Sequence, residues 1–157
     1  MQFSALKWVF VANIVFQGPA ALTLDGKGRI AMPSRHRELL TAMDCNQLTI
    51  TKNPVGSLLV FPRPAWQNFL EKVATLPMDA AGWKRLFLGN AMDVEIDNSS
   101  RVLIAPELRT YAGLTRDVML LGMGTHLELW DAQRYAEHEA QLLTQSVMPD
   151  SLKTFVY

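Results

Sequence analysis

The chain has 157 residues, of which 49% are hydrophobic and 19% charged, a composition typical of one medium globular domain or two small ones folded together. The charges of its 15 basic and 15 acidic residues cancel, so the overall charge gives no sign of a polyanionic partner. A zero net charge does not exclude local basic patches. The single cysteine, Cys45, excludes an internal disulfide and a cysteine-based zinc site. No apolar run reaches the roughly 20 residues that span a bilayer, so we expect no membrane partner.

Residues 1–15 precede the first recognisable element and are interpreted as an N-terminal extension. The stretch "MQFSALKWVFVANIVFQ" carries one lysine before a short apolar run interrupted by Asn13, which half resembles a secretory signal. A small-residue cleavage site at Gly18–Ala21 would contain Pro19, which fits it poorly. The alternatives are that this stretch forms an additional strand or that it is upstream sequence that does not belong to the native chain.

The next part of the chain predicts a β-rich unit followed by helices. Ala21–Leu24 and Ile30–Met32 are short apolar strands around the glycine-bearing turn "DGKG", a pattern typical of a β-hairpin. A helix is predicted in "PSRHRELL", and two further strands in "QLTITKNPVGSLLVFP" flank a turn at 53–56. A helix begins at Pro64, and "DAAGWKRLFLGNA" predicts a second, joining helix in which we expect Trp83 to be buried.

The second half of the chain repeats the first. "LTLDGKGRIAMPSRHREL" aligns with "VEIDNSSRVLIAPELRTYAGL", which places Asp25 on Asp97 and Arg29 on Arg101 at a common offset of 72 (97−25 and 101−29). The prolines that follow the two motifs align if one residue is inserted in the second copy. Downstream, "LLVFPRPAWQNFL" parallels "LELWDAQRYAEHE". The sequence therefore predicts a tandem duplication of one structural unit.

Two hairpin-rich units of this size cannot each bury an adequate core, because a single unit below about 70 residues is only marginally stable. Packing the two repeats together would supply a shared interior. We therefore predict a mainly β fold with peripheral α-helices, arranged as a pseudo-twofold β-barrel within one chain. The predicted divisions are a first repeat at 16–66, a helical linker at 67–92, a second repeat at 93–137, and a C-terminal helix and tail at 138–157.

The sequence predicts no catalytic centre, no metal and no cofactor. The "DGKGR" turn joins two strands, whereas a nucleotide-binding glycine loop leads from a strand into a helix. The three histidines lie outside the known hydrolase motifs. Asp93, Glu95 and Asp97 alternate along a predicted strand and could serve a small metal-dependent enzyme, but a solvated strand face is the favoured interpretation.

Both copies share the pattern Asp-x-x-x-Arg across a tight turn. The aspartate can accept hydrogen bonds from backbone N–H groups and fix the turn. The arginine would then point outward as a bidentate donor to phosphate or guanine, or it would pair with the aspartate of its own turn. The first copy is the more basic, because Lys27, Arg29, Arg35 and Arg37 accompany only Asp25, a surplus of three positive charges.

These motifs, with the linker "RLFLGNAMDVEID" and the closing "LELWDAQRY", resemble the MraZ family of bacterial transcriptional regulators from about Phe16 to Leu143. The resemblance implies two AbrB-like swapped-hairpin units that form an intrachain pseudo-dimer and assemble as homo-oligomeric rings, typically octamers or larger. It also implies binding to direct repeats in double-stranded promoter DNA, repression of the chain's own division and cell-wall operon, and a cytoplasmic, nucleoid-associated location. The DNA-binding residues expected on this basis are Asp25, Lys27, Arg29, Asp97 and Arg101, and the local surplus of positive charge adds Arg35.

The chain departs from the family pattern in two places. The second motif of the family ends in Gly-Arg, whereas here Ser100 precedes Arg101, and serine disfavours a positive φ. We therefore expect a differently shaped second turn, with Arg29 reading DNA while the second repeat mainly supports the fold and ring. Family members usually begin with Met-Phe before the first strand. Here Val15 and Phe16 occupy that position, so the expected native start is Val15. An AbrB-like antitoxin is the alternative function, although the duplication and the C-terminal helix disfavour it.

Overall fold

The computed structural model describes residues 15–145 and 147–155, so the interpretations offered for residues 1–14 lie outside the described residues. The strands are β1 (Phe16–Thr23), β2 (Arg29–Ala31), β3 (Gln47–Lys52), β4 (Leu58–Pro62), β5 (Met92–Glu95), β6 (Arg101–Leu103), β7 (Asp117–Gly124) and β8 (Leu127–Asp131). The helices are α1 (Ser34–Ala42), α2 (Arg63–Ala74), α3 (Ala81–Leu88), α4 (Pro106–Ala112), α5 (Ala132–Gln145) and α6 (Asp150–Lys153), with a 3-10 turn at Met78–Ala80.

The two repeats exchange their first strands. The larger sheet has six strands in the order β1–β7–β8–β4–β3–β5. β1 of the first repeat pairs antiparallel with β7 of the second, and β5 of the second repeat pairs antiparallel with β3 of the first. A pseudo-twofold axis therefore passes between the neighbouring strands β4 and β8. This axis relates each strand to its counterpart in the other repeat. This arrangement confirms the expected pseudo-dimer within one chain.

β2 and β6 form a separate two-stranded antiparallel sheet in which Ile30 lies opposite Val102. In residues 15–145 the strands thus belong to two hydrogen-bonded sheets and not to one continuous closed ladder. Backbone bonds outside the ladders link the two repeats at equivalent points, from Leu24 N–H to Arg116 O and from Ile96 N–H to Asn46 O. The predicted mainly β fold with peripheral helices is confirmed.

The main core is shared by both repeats, as the marginal size of each unit required. More buried residues alternate with more exposed ones along β1 and the start of β7, so each repeat contributes an apolar face, and burying these faces against each other removes both from water. The central β3, β4, β7 and β8 contribute side chains that are almost fully buried. The buried members are Phe16, Leu24, Ile30, Met32, Leu40, Leu48, Ile50, Leu58, Val60, Val102, Ile104, Leu108, Ala112, Leu114, Val118, Leu120, Leu127 and Leu129.

A second apolar cluster lies on the first repeat. The outer face of β4 supplies Phe61, which stacks on Phe69 of α2 with ring centroids 4.7 Å apart. α3 covers this cluster through Phe87, whose ring meets Phe69 edge-on. The expectation that Trp83 is buried is wrong: it is 56% exposed, because α3 turns Phe87 and Leu88 toward the cluster.

The structure also corrects the alignment of the two repeats. The residue before α1 is Pro33 (φ −57°, ψ 146°), and the residue before α4 is Ala105 (φ −58°, ψ 144°), so these two are equivalent at the offset of 72 and no insertion is needed. The length difference falls at the C-terminal ends of the two helices, because the left-handed residues that follow them, Asp44 and Gly113, are 69 apart (113−44). α4 is therefore shorter at its C-terminal end, and Arg37 corresponds to Arg109.

The domain divisions drawn from the sequence stay predictions, although two of the boundaries fall within helices. Residue 66 lies inside α2 and residue 137 lies inside α5. Each of these helices begins at the residue after the preceding strand ends, so the strand and its helix form one continuous segment. None of the helices in the described part of the chain is long and apolar enough to cross a membrane.

Candidate nucleic-acid interface

The first Asp-x-x-x-Arg turn is organised by Asp25. Its Oδ1 accepts the backbone N–H groups of Lys27 and Arg29, both at 2.9 Å. The backbone closes the turn, since Asp25 N–H donates to Arg29 O and Gly28 N–H donates to Asp25 O. Gly28 has a φ of +81°, which glycine adopts without the steric cost that a Cβ imposes. The aspartate thus fixes the turn as the sequence predicted.

The second turn has the same shape as the first. Asp97 Oδ1 accepts the backbone N–H groups of Ser99 at 2.8 Å and Arg101 at 2.9 Å, and the two closing backbone bonds are equivalent. Ser100 takes the place of Gly28 with a φ of +61°. The expectation of a differently shaped second turn is therefore wrong, because the hydrogen bonds to Asp97 hold Ser100 in the left-handed region despite its Cβ.

Pairing of β2 with β6 brings the two turns side by side. Met32 N–H donates to Ser100 O at 2.8 Å, and Ile104 N–H donates to Gly28 O at 2.8 Å. These two bonds are related by the pseudo-twofold axis, and each joins the strand of one repeat to the turn of the other. The two turns consequently form one continuous surface, which we call the paired-turn surface and define as residues 25–29 and 97–101.

Both motif arginines pair with the aspartate of their own turn, which was one of the two alternatives left open by the sequence. Arg29 Nε donates to Asp25 Oδ2 at 2.9 Å, whereas Arg101 Nε lies 3.5 Å from Asp97 Oδ2. The Arg29 side chain is 23% exposed and that of Arg101 is 38% exposed. Since only Nε faces the aspartate, the terminal Nη1 and Nη2 groups remain donors for an incoming anion.

The hydrogen bonds also favour the charged form of the two aspartates. The backbone N–H of Arg29 is the main cause that lowers the pKa of the Asp25 carboxyl below its ordinary value. The backbone N–H of Arg101 lowers the pKa of Asp97 in the same way. Both carboxylates are charged at neutral pH, and each accepts the backbone N–H of the arginine of its own turn.

The other predicted cations of the first repeat have different roles. Lys27 is exposed at the tip of the first turn, and its counterpart at the offset of 72 is the uncharged Ser99. Arg35 is also exposed, but its Nη2 donates to Pro19 O of β1 at 2.7 Å, so this arginine anchors a strand. Of the two, Lys27 has the freer side chain and lies nearer the turns.

Two arginines next to the turns were not singled out as site residues from the sequence. Arg37 of α1 donates from Nη1 to Ser100 Oγ at 3.0 Å, and Arg109 of α4 lies against Gly28. Within the part of the chain that the structure describes, neither forms an ion pair with a carboxylate. The repeat offset of 72, applied without an insertion, is the signal that relates them.

The three alternating carboxylates do not converge. Asp93 accepts from Thr49 Oγ1 and Arg63, Glu95 accepts from the Gln47 side chain, and Asp97 belongs to the second turn. Among the described residues, no three His, Cys, Asp or Glu side chains are grouped so that they could hold a metal ion. The metal-enzyme alternative consequently has no site in this part of the structure.

Comparison with known proteins identifies the family. A family profile described as "MraZ protein, putative antitoxin-like" matches the chain twice, at residues 15–85 and 87–155. The chain belongs to the MraZ family. The two matches divide it as the sequence repeat does, so the predicted duplication is confirmed.

Proteins named "Transcriptional regulator MraZ" match nearly the whole chain. The one from Methylibium petroleiphilum is 64% identical over 147 residues, which cover 94% of this chain and 100% of the relative. That from Leptothrix cholodnii is 60% identical over the same shares, and that from Burkholderia mallei is 55% identical over 91% of this chain and 100% of its own. These MraZ relatives are named as regulators, and the chain is not an enzyme.

Proposed function

We propose that the chain is a sequence-specific DNA-binding transcriptional regulator that contacts DNA through the paired-turn surface. The observation that carries this proposal is the β2–β6 pairing, which sets two Asp-fixed turns next to each other with an arginine at the end of each. Membership of a family whose relatives are named transcriptional regulators supports it. Arginine donors at aspartate-fixed turns suit phosphate and guanine recognition, because one planar guanidinium can donate two parallel hydrogen bonds to these acceptors.

The first turn is proposed to make the stronger contact. Both turns have the same backbone shape, so the difference between them is one of charge: Lys27 at the tip of the first corresponds to Ser99 in the second. In this interpretation Arg29 and Lys27 provide most of the affinity, and Arg101 contributes less. Arg35 contributes through the position of β1, because its guanidinium is bound to Pro19 O.

The regulator is further proposed to bind direct repeats as a homo-oligomeric ring of eight or more subunits. One subunit with no net charge offers few phosphate contacts, whereas several linked subunits on one duplex raise the effective concentration of each further contact. The C-terminal part of α5 supports an assembly, since Leu142 is 57% and Leu143 is 77% exposed on a helix without buried residues. Exposed apolar patches of this kind are typical of protein interfaces.

Binding at repeats upstream of its own division and cell-wall operon would block transcription, so repression is the proposed outcome. The proposed location is the cytoplasm, in association with the nucleoid. Both proposals come from the family resemblance, and the relatives' names support a role in transcription.

The test is fluorescence anisotropy with a labelled duplex taken from the region upstream of the chain's own gene and a shuffled duplex of the same composition. We expect preferential binding to the first duplex, with log affinity falling linearly as log salt rises, by about 0.9 per phosphate contact. Arg29→Ala should abolish the preference and Arg101→Ala should only weaken it. Equal affinity for both duplexes, or binding insensitive to salt, would overturn the proposal.

An antitoxin is the second candidate, favoured by the description of the matching family as antitoxin-like. An antitoxin would bind a toxin protein in addition to DNA. Mass spectrometry of the assembly purified from its native host distinguishes the two, because an antitoxin would carry a second protein in fixed stoichiometry. Operator binding by a pure homo-oligomer supports the regulator.

A further inference from the structure

Arg37 of the first repeat contacts the second turn. Its Nη1 donates to Ser100 Oγ at 3.0 Å, and its Nη2 donates to Ser34 Oγ at 3.2 Å on α1. Ser100 is the residue that this turn holds at a positive φ. The guanidinium thus joins the start of α1 to the most strained point of the opposite turn.

Arg109 of the second repeat contacts the first turn in the reciprocal way. Its Nε donates to Ile104 O at 3.0 Å, and Ile104 N–H donates to Gly28 O at 2.8 Å. A Cβ built on Gly28 would lie only 2.7 Å from Arg109 Cζ, which means that the guanidinium lies directly against the glycine backbone. Gly28 therefore leaves space for Arg109, whereas Ser100 offers Arg37 a hydroxyl.

We propose that Arg37 and Arg109 are positioning residues for DNA binding, each holding the turn of the opposite repeat in its binding shape. The inference rests on the proposed function, since it concerns how the paired-turn surface is kept ready for DNA. Neither arginine has a carboxylate partner among the described residues. Arg37 is held by its hydrogen bonds to the second turn and to α1, and Arg109 by its hydrogen bond to Ile104 O and by its packing against the first turn.

Reciprocal support has a physical purpose. Each turn has only five residues and its own bonds run through a single aspartate, so ordering it on DNA would cost conformational entropy. A guanidinium fixed from α1 or α4 restricts the turn before DNA arrives, and preorganisation of this kind raises affinity. Because the contacts cross between repeats, loss of one arginine should affect the turn that lies far from it in sequence.

The first experiment does not involve DNA. Hydrogen–deuterium exchange of the full chain is followed by mass spectrometry on peptides that cover each turn, for Arg37→Lys and Arg109→Lys. Lysine keeps the charge but lacks the planar group that makes these contacts. We expect Arg37→Lys to speed exchange at 97–101 and not at 25–29, and Arg109→Lys to do the reverse. Faster exchange in both turns alike, or in neither, would overturn the proposal.

The second experiment measures operator affinity in double-mutant cycles. We expect each lysine variant to lower affinity by about tenfold, which corresponds to about 1.4 kcal/mol, with the salt slope unchanged. Arg109→Lys should be non-additive with Arg29→Ala and additive with Arg101→Ala, and Arg37→Lys should show the opposite pairing. Arg85→Lys on the exposed side of α3 is the matched control and should leave both exchange and affinity unchanged.

The outcomes separate the two proposals. If the exchange pattern crosses between repeats but the wild-type chain ignores operator DNA, the proposed function fails while the structural coupling stands as measured. If the wild-type chain binds DNA but both lysine variants retain its affinity, the positioning role is wrong and the proposed function survives. Arg37→Gln and Arg109→Gln remove the charge as well as the planar group. If the salt slope falls in these variants but not in the lysine variants, the two arginines are direct phosphate contacts instead.

Discussion

Asp25 holds Arg29 at two points, by accepting its backbone N–H through Oδ1 at 2.9 Å and its side-chain Nε through Oδ2 at 2.9 Å. One carboxylate therefore fixes both the closure of the turn and the direction of the guanidinium. The acidic residue lies where DNA phosphates are proposed to approach, which is unfavourable in purely electrostatic terms. Its value to binding must come from organising the turn.

Replacing this carboxylate separates the two effects. Asp25→Ala removes the acceptor of three hydrogen bonds, so we expect operator affinity to fall by on the order of tenfold although a negative charge is lost. Asp25→Asn keeps one acceptor oxygen for the backbone N–H groups, so its operator affinity should fall less than that of Asp25→Ala. Anisotropy at fixed salt measures both, with Asp97→Asn as the matched change in the second turn. Tighter binding by Asp25→Ala would mean that repulsion outweighs the organisation of the turn.

The two glycines of the first turn should differ in their tolerance of a side chain. Gly28 has a φ of +81°, and a Cβ added to it would lie 2.7 Å from Arg109 Cζ. We therefore expect Gly28→Ala to lower the free energy of unfolding by about 1 to 2 kcal/mol. Gly26 has no atom within 4 Å of its built Cβ and no positive φ. Gly26→Ala should therefore change stability by no more than about 0.5 kcal/mol. Urea unfolding of both variants provides the comparison, and equal losses would contradict this assignment of the strain.

The sequence predicted the parts of the fold that depend on local patterns. Matching motifs at one offset revealed the duplication, and the small size of each unit required a shared core. Strand exchange between the repeats came from the family resemblance, since pairing of β1 with β7 joins segments about a hundred residues apart that no local pattern relates. Trp83 was misassigned because helical spacing cannot say which of two apolar faces is covered.

The site was predicted less completely than the fold. The Asp-x-x-x-Arg turns were recognisable because their residues are adjacent in sequence. The glycine-to-serine difference at Ser100 suggested a change of shape, but the bonds to Asp97 outweigh the cost of a positive φ. The contacts of Arg37 and Arg109 arise only after the repeats fold together, so no local motif could have indicated them.

The apolar end of α5 should carry a subunit interface if the chain assembles as proposed. Replacing Leu142 and Leu143 together with aspartate removes apolar area worth about 1.5 to 3 kcal/mol for each leucine that an interface buries. We expect a smaller assembly by light scattering after gel filtration, together with weaker operator binding through lost multivalency. Replacing Gln141 and Gln145 with aspartate adds the same charge to the same helix and should leave the assembly intact. An unchanged mass in the leucine variant would place the interface elsewhere.

His36 should make the fold sensitive to mild acid. It is fully buried beside Phe16, with ring centroids 5.7 Å apart, and burial followed by the charge of Arg35 lowers the pKa of His36 below 6.5. The unfolded chain therefore binds a proton more readily than the folded chain, so stability is full above about pH 6.5 and falls as the pH drops below that value.

Urea unfolding at pH 7.5, 6.5 and 5.5 measures this effect. We expect the free energy of unfolding to decrease below pH 6.5 by at most about 1.4 kcal/mol per pH unit for each such histidine. Burial also lowers the pKa of His126, against an opposing effect of Glu128, so this second histidine adds to the slope. His36→Leu should reduce the slope and His36→Leu with His126→Leu should nearly remove it. If the free energy of unfolding of the double variant fell as steeply with pH as that of the wild type, groups other than these two histidines would have to bind the protons that destabilise the fold.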